Sequence, residues 1–337
     1  MRNYDVVIIG ASVAGLSTAL GLLERGITSL LIDKKREIGL PVQCAEFVPA
    51  PFVGVASFVR ESAAQVVEAM ETRITANGET ERSTVSFRGF ILDRDKWERR
   101  LAARVVALGG QVVLGNRVLS FAPDGSVGTD TGLLKGRVVV AADGPRSIAH
   151  ELLGIKPRLM PATQRTVVLR KPLNRTLILF DRRIIGGYGW LFPKGELANL
   201  GVGGWGSLSE MLDIALDNFS DFVYPDLVGS TGGAIPVSGV PRRLARGGIL
   251  LVGDAAGFAD PITGAGIANA YESGSYAAET ISAFLRGNES DLSLYDNRID
   301  FLRRSLARSA AKREAMEMEW ENSDFISLIK RSWIGFR

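Results

Sequence analysis

A glycine-containing turn near the start of the chain has the residues that bind the pyrophosphate of a dinucleotide. The sequence GASVAG, residues 10–15, follows a β-branched run and opens an apolar segment with helical periodicity. Gly10 permits a tight turn, Gly15 lets the helix approach the strand, and the free N–H groups at the helix start attract an anion. Asp33 ends the next strand-like run, at the separation where an acid accepts hydrogen bonds from a ribose hydroxyl.

One position departs from the G-x-G-x-x-G pattern, because Ser12 replaces the middle glycine. A serine at this position must keep its side chain away from the pyrophosphate. The cations that begin at Lys34 suggest the additional phosphate of NADP, but two later motifs argue against that assignment. The predicted dinucleotide contacts of this βαβ unit are Gly10, Ala11, Ser12, Ala14, Gly15, Asp33 and Lys34.

Two later segments indicate that the dinucleotide is FAD. VVVAADGPRS (residues 138–147) is a strand-like run that ends in Asp-Gly. GGILLVGDAAGFADPITGAGIANAY (residues 247–271) is a strand that ends in Gly-Asp, followed by a glycine-rich helix start. These D-G and G-D motifs are typical of FAD enzymes that resemble p-hydroxybenzoate hydroxylase. Asp254 can accept hydrogen bonds from ribityl hydroxyls, and the helix start can place N–H groups beside the flavin pyrimidine ring.

Further positions complete the predicted FAD site. Arg94 stands at a strand-to-helix junction, where it is either a salt-bridge partner or a neighbour of the phosphate and ribityl groups; we favour the second. The backbone near Val118 can reach an adenine edge. The remaining predicted contacts are Asp143, Gly144, Gly253, Asp254, Gly264, Ala265, Gly266 and Ile267.

Composition and residue counts argue against several classes of function. The 337 residues are 46% hydrophobic and carry a formal net charge of +3, which argues against a nucleic-acid binder. One cysteine, Cys44, excludes an intramolecular disulfide, and one histidine, His150, argues against zinc sites and a Ser-His-Asp triad. We expect no metal site and place His150 on the surface of a helix. Glycine and hydroxyl residues interrupt the uncharged run at residues 6–23, so we predict neither a signal peptide nor a membrane span.

An aromatic run in the middle of the chain has the periodicity of a strand. In GGYGWLFPKG, the side chains of Tyr188, Trp190 and Phe192 recur every second residue and therefore share one face, and Pro193 is expected to end the strand. The nearby GVGGWG (residues 201–206) is interpreted as another strand and not as a second nucleotide turn. Such alternating short strands predict an antiparallel sheet inserted between the D-G and G-D motifs.

The predicted fold is α/β, with a Rossmann-like FAD-binding domain of the p-hydroxybenzoate hydroxylase type and an inserted antiparallel-sheet substrate domain. The predicted FAD-binding domain is discontinuous and comprises residues 1–50, 84–160 and 240–290. The predicted substrate domain comprises residues 51–83 and 161–239. A C-terminal helical segment is expected at residues 291–337.

The chain resembles the geranylgeranyl reductase family of flavoproteins. Four segments carry the resemblance: GASVAG, EIGLPVQCAEF (residues 37–47), YGWLFPKG and GDAAGFADPITGAGI. The run Y-x-W-x-F-P is characteristic of the prenyl-reducing branch, where it lines the substrate cavity. The resemblance implies that Cys44 and Ala45 lie beside the isoalloxazine. It also implies a substrate-lining role for Tyr188, Trp190, Phe192 and Pro193.

This resemblance implies an FAD-dependent reductase that saturates carbon–carbon double bonds of prenyl chains on a lipid or quinone, by hydride transfer from flavin N5. An isolated alkene also needs a proton, for which Cys44, Tyr188 and an ordered water are the candidate donors. The ring of Trp190 can stabilise cationic character at the tertiary carbon, by about 0.5–2 kcal/mol. Cys44, Tyr188 and Trp190 are therefore the predicted catalytic residues.

Two other functions stay open at this point: an FAD-dependent monooxygenase of an aromatic or polyketide substrate, and a non-catalytic FAD- or lipid-binding protein. Family members carry R-C-G-E-G where this chain has QCAEF at residues 43–47, so an arginine and two glycines are replaced. The chain is also shorter after the G-D motif, which implies a reduced substrate-covering region. The electron donor is NAD(P)H, ferredoxin or another carrier, since no second nucleotide motif is visible.

Two C-terminal segments bear on partners and localisation. RRSLARSAAKR (residues 303–313) is interpreted as a solvated helix face. DFISLIKRSWIGFR (residues 324–337) mixes aromatics and cations at helical spacing, so it either packs on its own domain or contacts a bilayer. We expect a cytoplasmic protein, with peripheral contact to the inner membrane face through this segment as the alternative. The expected partners are a prenylated lipid or quinone substrate and an electron-donor protein, and no nucleic acid.

Overall fold

The computed structural model describes residues 2–51, 58–321 and 324–336. Met1, residues 52–57, residues 322–323 and Arg337, which fall inside the predicted domain ranges and the C-terminal segment, lie outside the described residues. The strands are β1 (Arg2–Ile9), β2 (Ser29–Asp33), β3 (Phe47–Pro49), β4 (Ala63–Ala76), β5 (Glu79–Leu92), β6 (Gln111–Leu114), β7 (Val118–Phe121), β8 (Ser126–Thr129), β9 (Gly132–Ala141), β10 (Leu159–Leu169), β11 (Arg175–Asp181), β12 (Tyr188–Lys194), β13 (Leu197–Gly203), β14 (Val223–Pro236), β15 (Ala245–Arg246) and β16 (Ile249–Leu251).

The helices complete the secondary structure. They are α1 (Val13–Leu23), α2 (Phe58–Glu61), α3 (Arg94–Ala107), α4 (Ala149–Leu153), α5 (Leu208–Phe219), α6 (Ile267–Leu285), α7 (Leu294–Arg298), α8 (Asp300–Met318) and α9 (Phe325–Ser332). Short 3₁₀ turns lie at Gly253–Ala256 and Ile334–Phe336. Among the described residues, no helix combines the length and apolar character needed to cross a membrane.

The chain divides into two compact units. The first unit comprises Met1–Leu40, Arg94–Arg158 and Pro236–Arg308, and the second comprises Pro41–Asp93, Leu159–Ile235 and Ser309–Arg337. These bounds differ from the predicted domains at several boundaries, and two of the differences are large. Residues 41–50 and 84–93 belong to the second unit because β3 and β5 pair with each other there. The predicted C-terminal segment divides between the units, because its last part packs on the second sheet.

The first unit contains a sheet of the predicted Rossmann-like kind whose central strands are parallel, while β15 pairs antiparallel with β16, β8 with β9, and β7 with β8. Its strands run in the order β15-β16-β9-β1-β2-β6, and β1 pairs in parallel with both β2 and β9. The pairings of β9 with β16 and of β2 with β6 are also parallel. The runs Val6–Ile9 and Leu30–Ile32 are buried, as expected for strands covered on both faces. The carboxyl ends of β1, β2 and β9 thus lie side by side, and they carry the predicted glycine turn, Asp33 and the D-G motif.

The second unit contains the inserted sheet, in the order β14-β10-β13-β12-β11-β4-β5-β3. The pairings of β10 with β13, β12 with β13, β11 with β12 and β4 with β5 are antiparallel, as predicted. One pairing differs from the prediction, since β11 runs parallel to β4. Residues 201–203 of the GVGGWG segment end β13, so the prediction of a strand is confirmed for the first half of this segment. Helix α5 covers one face of the sheet, where Met211, Leu212 and Ala215 join the core of Leu177, Leu191 and Leu200.

A buried ionic cluster ties α5 to this sheet. The Arg73 guanidinium donates to Glu71 Oε1 at 2.9 Å and to the Asn218 carbonyl at 2.9 Å, and Arg175 donates to Glu71 Oε2 at 2.8 Å. The Arg73 group also lies over the Phe222 ring, 5.0 Å from its centroid. Burial would raise the pKa of Glu71, but hydrogen bonds from Arg73 and Arg175 outweigh it and hold that pKa below its usual 4.5. The folded protein therefore favours the charged carboxylate of Glu71.

Replacing Glu71 by glutamine should lower the free energy of unfolding by about 3 kcal/mol near neutral pH, since it leaves the buried Arg73 charge uncompensated. The folded-state pKa of Glu71 is depressed, so its contribution is complete above the unfolded value and is lost as the pH falls through the folded value. Urea unfolding at neutral pH and below pH 4.5 would check this. The deficit of E71Q should shrink in acid; an equal deficit at both pH values would contradict the assignment.

The C-terminal residues pack within the second unit. Arg313 is buried and donates to the Gly186 carbonyl at 2.5 Å, so the predicted solvated face at residues 303–313 is wrong at this position. In α9, Phe325, Leu328 and Ile329 are buried as well. The apolar side of this helix is thus buried within its own unit, which favours the first of the two interpretations, packing on its own domain.

Candidate functional site

The turn after β1 requires glycine at two positions. Gly10 has φ of +107°, and a Cβ on it would lie 2.2 Å from the Ala142 carbonyl oxygen. A Cβ on Gly15 would lie 1.9 Å from the Gly10 carbonyl oxygen. Both contacts involve backbone atoms, which cannot rotate away as a side chain can. The two glycines therefore set how closely α1 begins beside β1 and β9.

The side chain at the N-cap of α1, Ser12, makes hydrogen bonds outside its own helix. Ser12 occupies the N-cap position with extended backbone, and within the described chain its hydroxyl makes no capping hydrogen bond to the helix. The hydroxyl instead donates to Glu98 Oε1 at 2.9 Å and accepts from Arg94 Nη2 at 3.0 Å. Arg94 and Glu98 also form an ion pair. Arg94 thus is a salt-bridge partner, whatever further contact it makes with a cofactor.

The second strand end supplies the predicted ribose acceptor. Asp33 Oδ2 accepts the Ala11 N–H at 2.7 Å, and Asp33 Oδ1 accepts the Lys35 N–H at 2.8 Å, so the carboxylate is fixed across the glycine turn. Lys34 is exposed, and Val118 is buried at the start of β7. Asn116 was not predicted from the sequence. Its Oδ1 is buried without a hydrogen-bond partner in the described residues, although its Nδ2 donates to Thr131.

The D-G motif is joined to the G-D motif by the chain's histidine. His150 Nε2 donates to the Ala255 carbonyl oxygen at 2.7 Å, and the ring is buried, so its predicted surface position is wrong. Asp143 Oδ2 accepts the Ile148 N–H at 3.0 Å, while Asp143 Oδ1 is buried and meets no hydrogen-bond donor in the described parts of the chain. Burial raises the pKa of Asp143, and hydrogen bonds from Ser147 and Ile148 oppose that rise.

The G-D motif leads into the start of α6. Burial raises the pKa of Asp254, and the charge of Arg94 opposes this effect. The loop after it is ordered by Asp260, whose Oδ1 accepts from the Ile262 and Thr263 N–H groups at 3.0 and 2.8 Å. Gly266 is the N-cap of α6, and as a glycine it brings no side chain to cap the first turn.

These features fit FAD. Two helices, α1 and α6, begin without a side-chain cap among the described residues, so their first N–H groups are available to a pyrophosphate and to the flavin pyrimidine ring. Buried acceptors without protein partners in the described chain, Asp143 Oδ1 and Asn116 Oδ1, suit the hydroxyl and amino donors of such a ligand. The glycine turn, Asp33 and the D-G motif lie at the adjacent carboxyl ends of β1, β2 and β9, the position where a dinucleotide binds in this kind of sheet.

In the second unit, we use the name aromatic face for the side of β12 that carries Tyr188, Trp190 and Phe192. The rings of Tyr188 and Trp190 meet edge-on, with centroids 5.9 Å apart. The Trp190 indole lies over Gly201 of β13, where a Cβ would come within 2.4 Å of the ring. The prediction that Pro193 ends the strand is wrong by one residue: β12 continues to Lys194, and Pro193 pairs with Ala198.

Polar side chains around the aromatic face hold the segment that contains Cys44. The Trp190 indole N–H donates to Gln164 Oε1 at 3.1 Å, and Gln164 Nε2 donates to the Cys44 carbonyl oxygen at 3.2 Å. Asn199 Nδ2 donates to the Ala45 carbonyl oxygen at 3.4 Å. The Cys44 thiol sulfur accepts the Glu46 N–H at 3.2 Å and is partly accessible. The aromatic strand therefore positions the cysteine through Gln164, a residue that the sequence did not single out.

Glu46 is the anchor of this segment. It is 3% exposed and adopts a left-handed backbone, with φ of +69°, which is uncommon for a residue other than glycine. Its Oε2 accepts from Asn199 Nδ2 at 3.0 Å and pairs with Lys194 Nζ at 2.8 Å, and Lys194 also pairs with Asp93 at 3.1 Å. Burial would lower the pKa of Lys194, but its bonds to Glu46 and Asp93 raise it. The charged network thus fixes the turn next to Cys44.

Two aromatic residues outside β12, Phe47 and Trp333, pack against the aromatic face. Phe47, which stands where family members carry glycine, packs on Phe192 with centroids 5.6 Å apart. At the other end, Trp333 packs on Tyr188 and Phe180 with centroids 5.2 and 5.1 Å away. Gln43, at another departure from the family sequence, donates to the Gly232 carbonyl oxygen. The described C-terminal residues therefore cover one end of the aromatic face.

Comparisons with known proteins agree with these features. A family model described as an FAD binding domain matches residues 3–174, about half of the chain. Digeranylgeranylglycerophospholipid reductase 1 of Methanopyrus kandleri is 34% identical, over 82% of this chain and 80% of that protein. Digeranylgeranylglycerophospholipid reductase of Methanocella arvoryzae is 32% identical, over 92% of this chain and 85% of that protein.

Two solved structures are also similar to this chain. A geranylgeranyl bacteriochlorophyll reductase-like protein from Thermoplasma acidophilum superposes with a TM-score of 0.84 at 27% identity, covering 100% of this chain and 92% of that one. PqsL of Pseudomonas aeruginosa matches at a TM-score of 0.76 and 19% identity, over 97% of this chain and 100% of that one, which shows a shared fold only. The predicted family, fold and cofactor are confirmed: the chain belongs to the geranylgeranyl reductase family and is an FAD-dependent oxidoreductase that acts on CH–CH groups.

Proposed function

We propose that this protein reduces the carbon–carbon double bonds of prenyl chains on a glycerophospholipid. The observation that carries the proposal is the aromatic face with the Cys44 segment held against it, in a chain whose matched relatives are named digeranylgeranylglycerophospholipid reductases. Reduced FAD supplies the hydride for such a reaction at flavin N5. The chain's own residues must then hold an apolar chain, exclude water and provide a proton.

The residues of the second unit suit different parts of this task. Tyr188 and Cys44 are partly accessible, whereas Trp190 and Phe192 are only 7% and 8% exposed. We therefore assign direct contact with the prenyl chain to Tyr188, and assign to Trp190 the support of Tyr188 and, through Gln164, of the Cys44 segment. Phe192 and Pro193 are buried and act in this proposal as the floor beneath the contact surface.

Cys44 is the residue that we propose for placing the proton or orienting the alkene. Its sulfur lies on a turn fixed by the Glu46 N–H, and its carbonyl is fixed by Gln164, so its position is set from both sides. A neutral thiol can donate a proton to the alkene, and the thiolate that this leaves must be reprotonated from solvent, which the partly accessible sulfur permits. The aromatic ring of Tyr188 can in turn stabilise cationic character on the alkene.

The test uses the FAD-loaded protein, reduced with dithionite under anaerobic conditions so that no assumption about the electron donor is needed. Vesicles of digeranylgeranylglycerophospholipid are added, and the lipid is analysed by mass spectrometry. We expect a gain of one H₂ for each double bond reduced, together with reoxidation of the flavin. Reduced flavin that the lipid never reoxidises would contradict the proposal and favour a binding protein. Oxygen-dependent addition of one oxygen atom to an aromatic substrate would favour a monooxygenase.

The variant Cys44→Ala tests the proposed role of the thiol. We expect it to bind FAD as the native protein does but to lose most of its lipid reduction, by about 100-fold, which is within the range that general acid catalysis supplies. Cys44→Ser, which keeps a weaker proton donor at the same place, should retain an intermediate rate. Full alkene reduction by Cys44→Ala would remove Cys44 from the proposal.

A further inference from the structure

The unusual residue of the glycine turn is placed where it could block the cofactor site. Ser12 is the N-cap of α1, and serine is among the residues that cap a helix best, by accepting a hydrogen bond from the second or third N–H of the helix. Those N–H groups belong to Ala14 and Gly15, the same donors that a pyrophosphate needs at this helix start. A self-capped α1 would therefore compete with FAD. The glycine usual at this position brings no such competitor.

The structure shows Ser12 in a different arrangement. Its hydroxyl donates a hydrogen bond to Glu98 Oε1 at 2.9 Å and accepts one from Arg94 Nη2 at 3.0 Å. Glu98 is 2% exposed, and its charge is balanced by the ion pair with Arg94. Both partners come from the first turn and a half of α3, four residues apart on one face. The hydroxyl thus makes its two observed hydrogen bonds, one as donor and one as acceptor, with α3 and not with α1.

We propose that Glu98 and Arg94 act as a latch that keeps the Ser12 hydroxyl off the start of α1, so that the Ala14 and Gly15 N–H groups stay open to the FAD pyrophosphate. Glu98 is then a positioning residue for FAD that acts through Ser12. Because a buried carboxylate near a phosphate site would repel the ligand, its pairing with Arg94 is a requirement of the arrangement. The proposal concerns FAD binding only and does not depend on the identity of the alkene substrate.

A double-mutant cycle tests this latch. The dissociation constant of FAD is measured by flavin fluorescence for the native protein, E98A, S12G and S12G/E98A. We expect E98A to weaken FAD binding about fivefold, the effect of one competing N-cap hydrogen bond of typical strength. S12G alone should bind FAD within about twofold of the native protein, and adding E98A to S12G should weaken binding by less than about a further twofold.

Two outcomes would overturn the proposal. If E98A weakens FAD binding equally in the native and S12G backgrounds, Glu98 acts through Arg94 alone. If E98A weakens FAD binding in neither background, no latch is needed. Glu98→Met, which keeps the buried volume, replaces E98A in the cycle if the alanine variant does not fold. Amide exchange in the FAD-free protein is the second measurement. The Ala14 or Gly15 N–H should exchange more slowly in the Glu98 variant than in the native protein, and unchanged exchange would argue against self-capping.

Discussion

Gly15→Ala should abolish stable FAD binding. The added Cβ would lie 1.9 Å from the Gly10 carbonyl oxygen, well inside any van der Waals contact, and that oxygen belongs to the backbone. The start of α1 must then move away from β1. Because each N–H bond to a charged acceptor contributes about 1.5–3 kcal/mol, losing two of them weakens binding by at least about 100-fold.

The flavin content of the purified protein and a titration of the stripped protein with FAD would measure this effect. Gly229→Ala is the matched control, because a Cβ there meets no described atom within 4 Å and the backbone is not left-handed. It should bind FAD as the native protein does. Native-like affinity in Gly15→Ala would mean that α1 does not donate to the pyrophosphate, and would also remove the basis of the proposed Ser12 latch.

The glycine turn was predictable because its parts are local in the sequence. A strand, a turn and a helix start occupy about ten consecutive residues, so the spacing of Gly10 and Gly15 reflects a geometric requirement that the structure displays directly. The same holds for Asp33, which follows the next strand and reaches the Ala11 N–H. Residues of this kind are recognisable without knowing how distant segments meet.

The supporting residues could not be found in this way. Glu98 lies 86 residues from Ser12, Gln164 lies 120 residues from Cys44, and Asn199 lies 153 residues from Glu46. Each is a common polar residue whose role comes only from pairing in the folded chain. His150 was misplaced for the same reason, since its partner is the Ala255 carbonyl oxygen, 105 residues away.

The aromatic run shows where periodicity is informative and where it is not. Alternation correctly placed Tyr188, Trp190 and Phe192 on one face, because side chains alternate along any strand. It did not reveal what lies against that face. The Trp190 ring uses the space left by Gly201, and its indole N–H leads through Gln164 to Cys44. The aromatic strand therefore builds the setting of the cysteine as well as a surface for a ligand.

Lys194→Met should strongly destabilise the second unit. It removes the ammonium group that pairs with Glu46 at 2.8 Å and leaves a buried carboxylate with Asn199 as a neutral donor. Removal of one partner of a buried ion pair lowers the free energy of unfolding by about 3–5 kcal/mol. The left-handed turn at Glu46 should loosen, so the Cys44 segment loses its fixed position and lipid reduction falls more than FAD binding does.

Urea unfolding and the lipid assay together would check this prediction, with Lys330→Met as the matched control. Lys330 pairs with Glu81 at 2.5 Å, but both side chains are about 40% exposed, so its loss should cost less than about 1 kcal/mol. The folded-state pKa of Lys194 is raised, so its contribution is complete at neutral pH and is lost only as the pH rises through that value, above 10.5. Adding Glu46→Gln to Lys194→Met should recover part of the stability, because the buried carboxylate that lost the Lys194 ammonium is then replaced by a neutral amide. A double variant less stable than Lys194→Met would contradict this explanation.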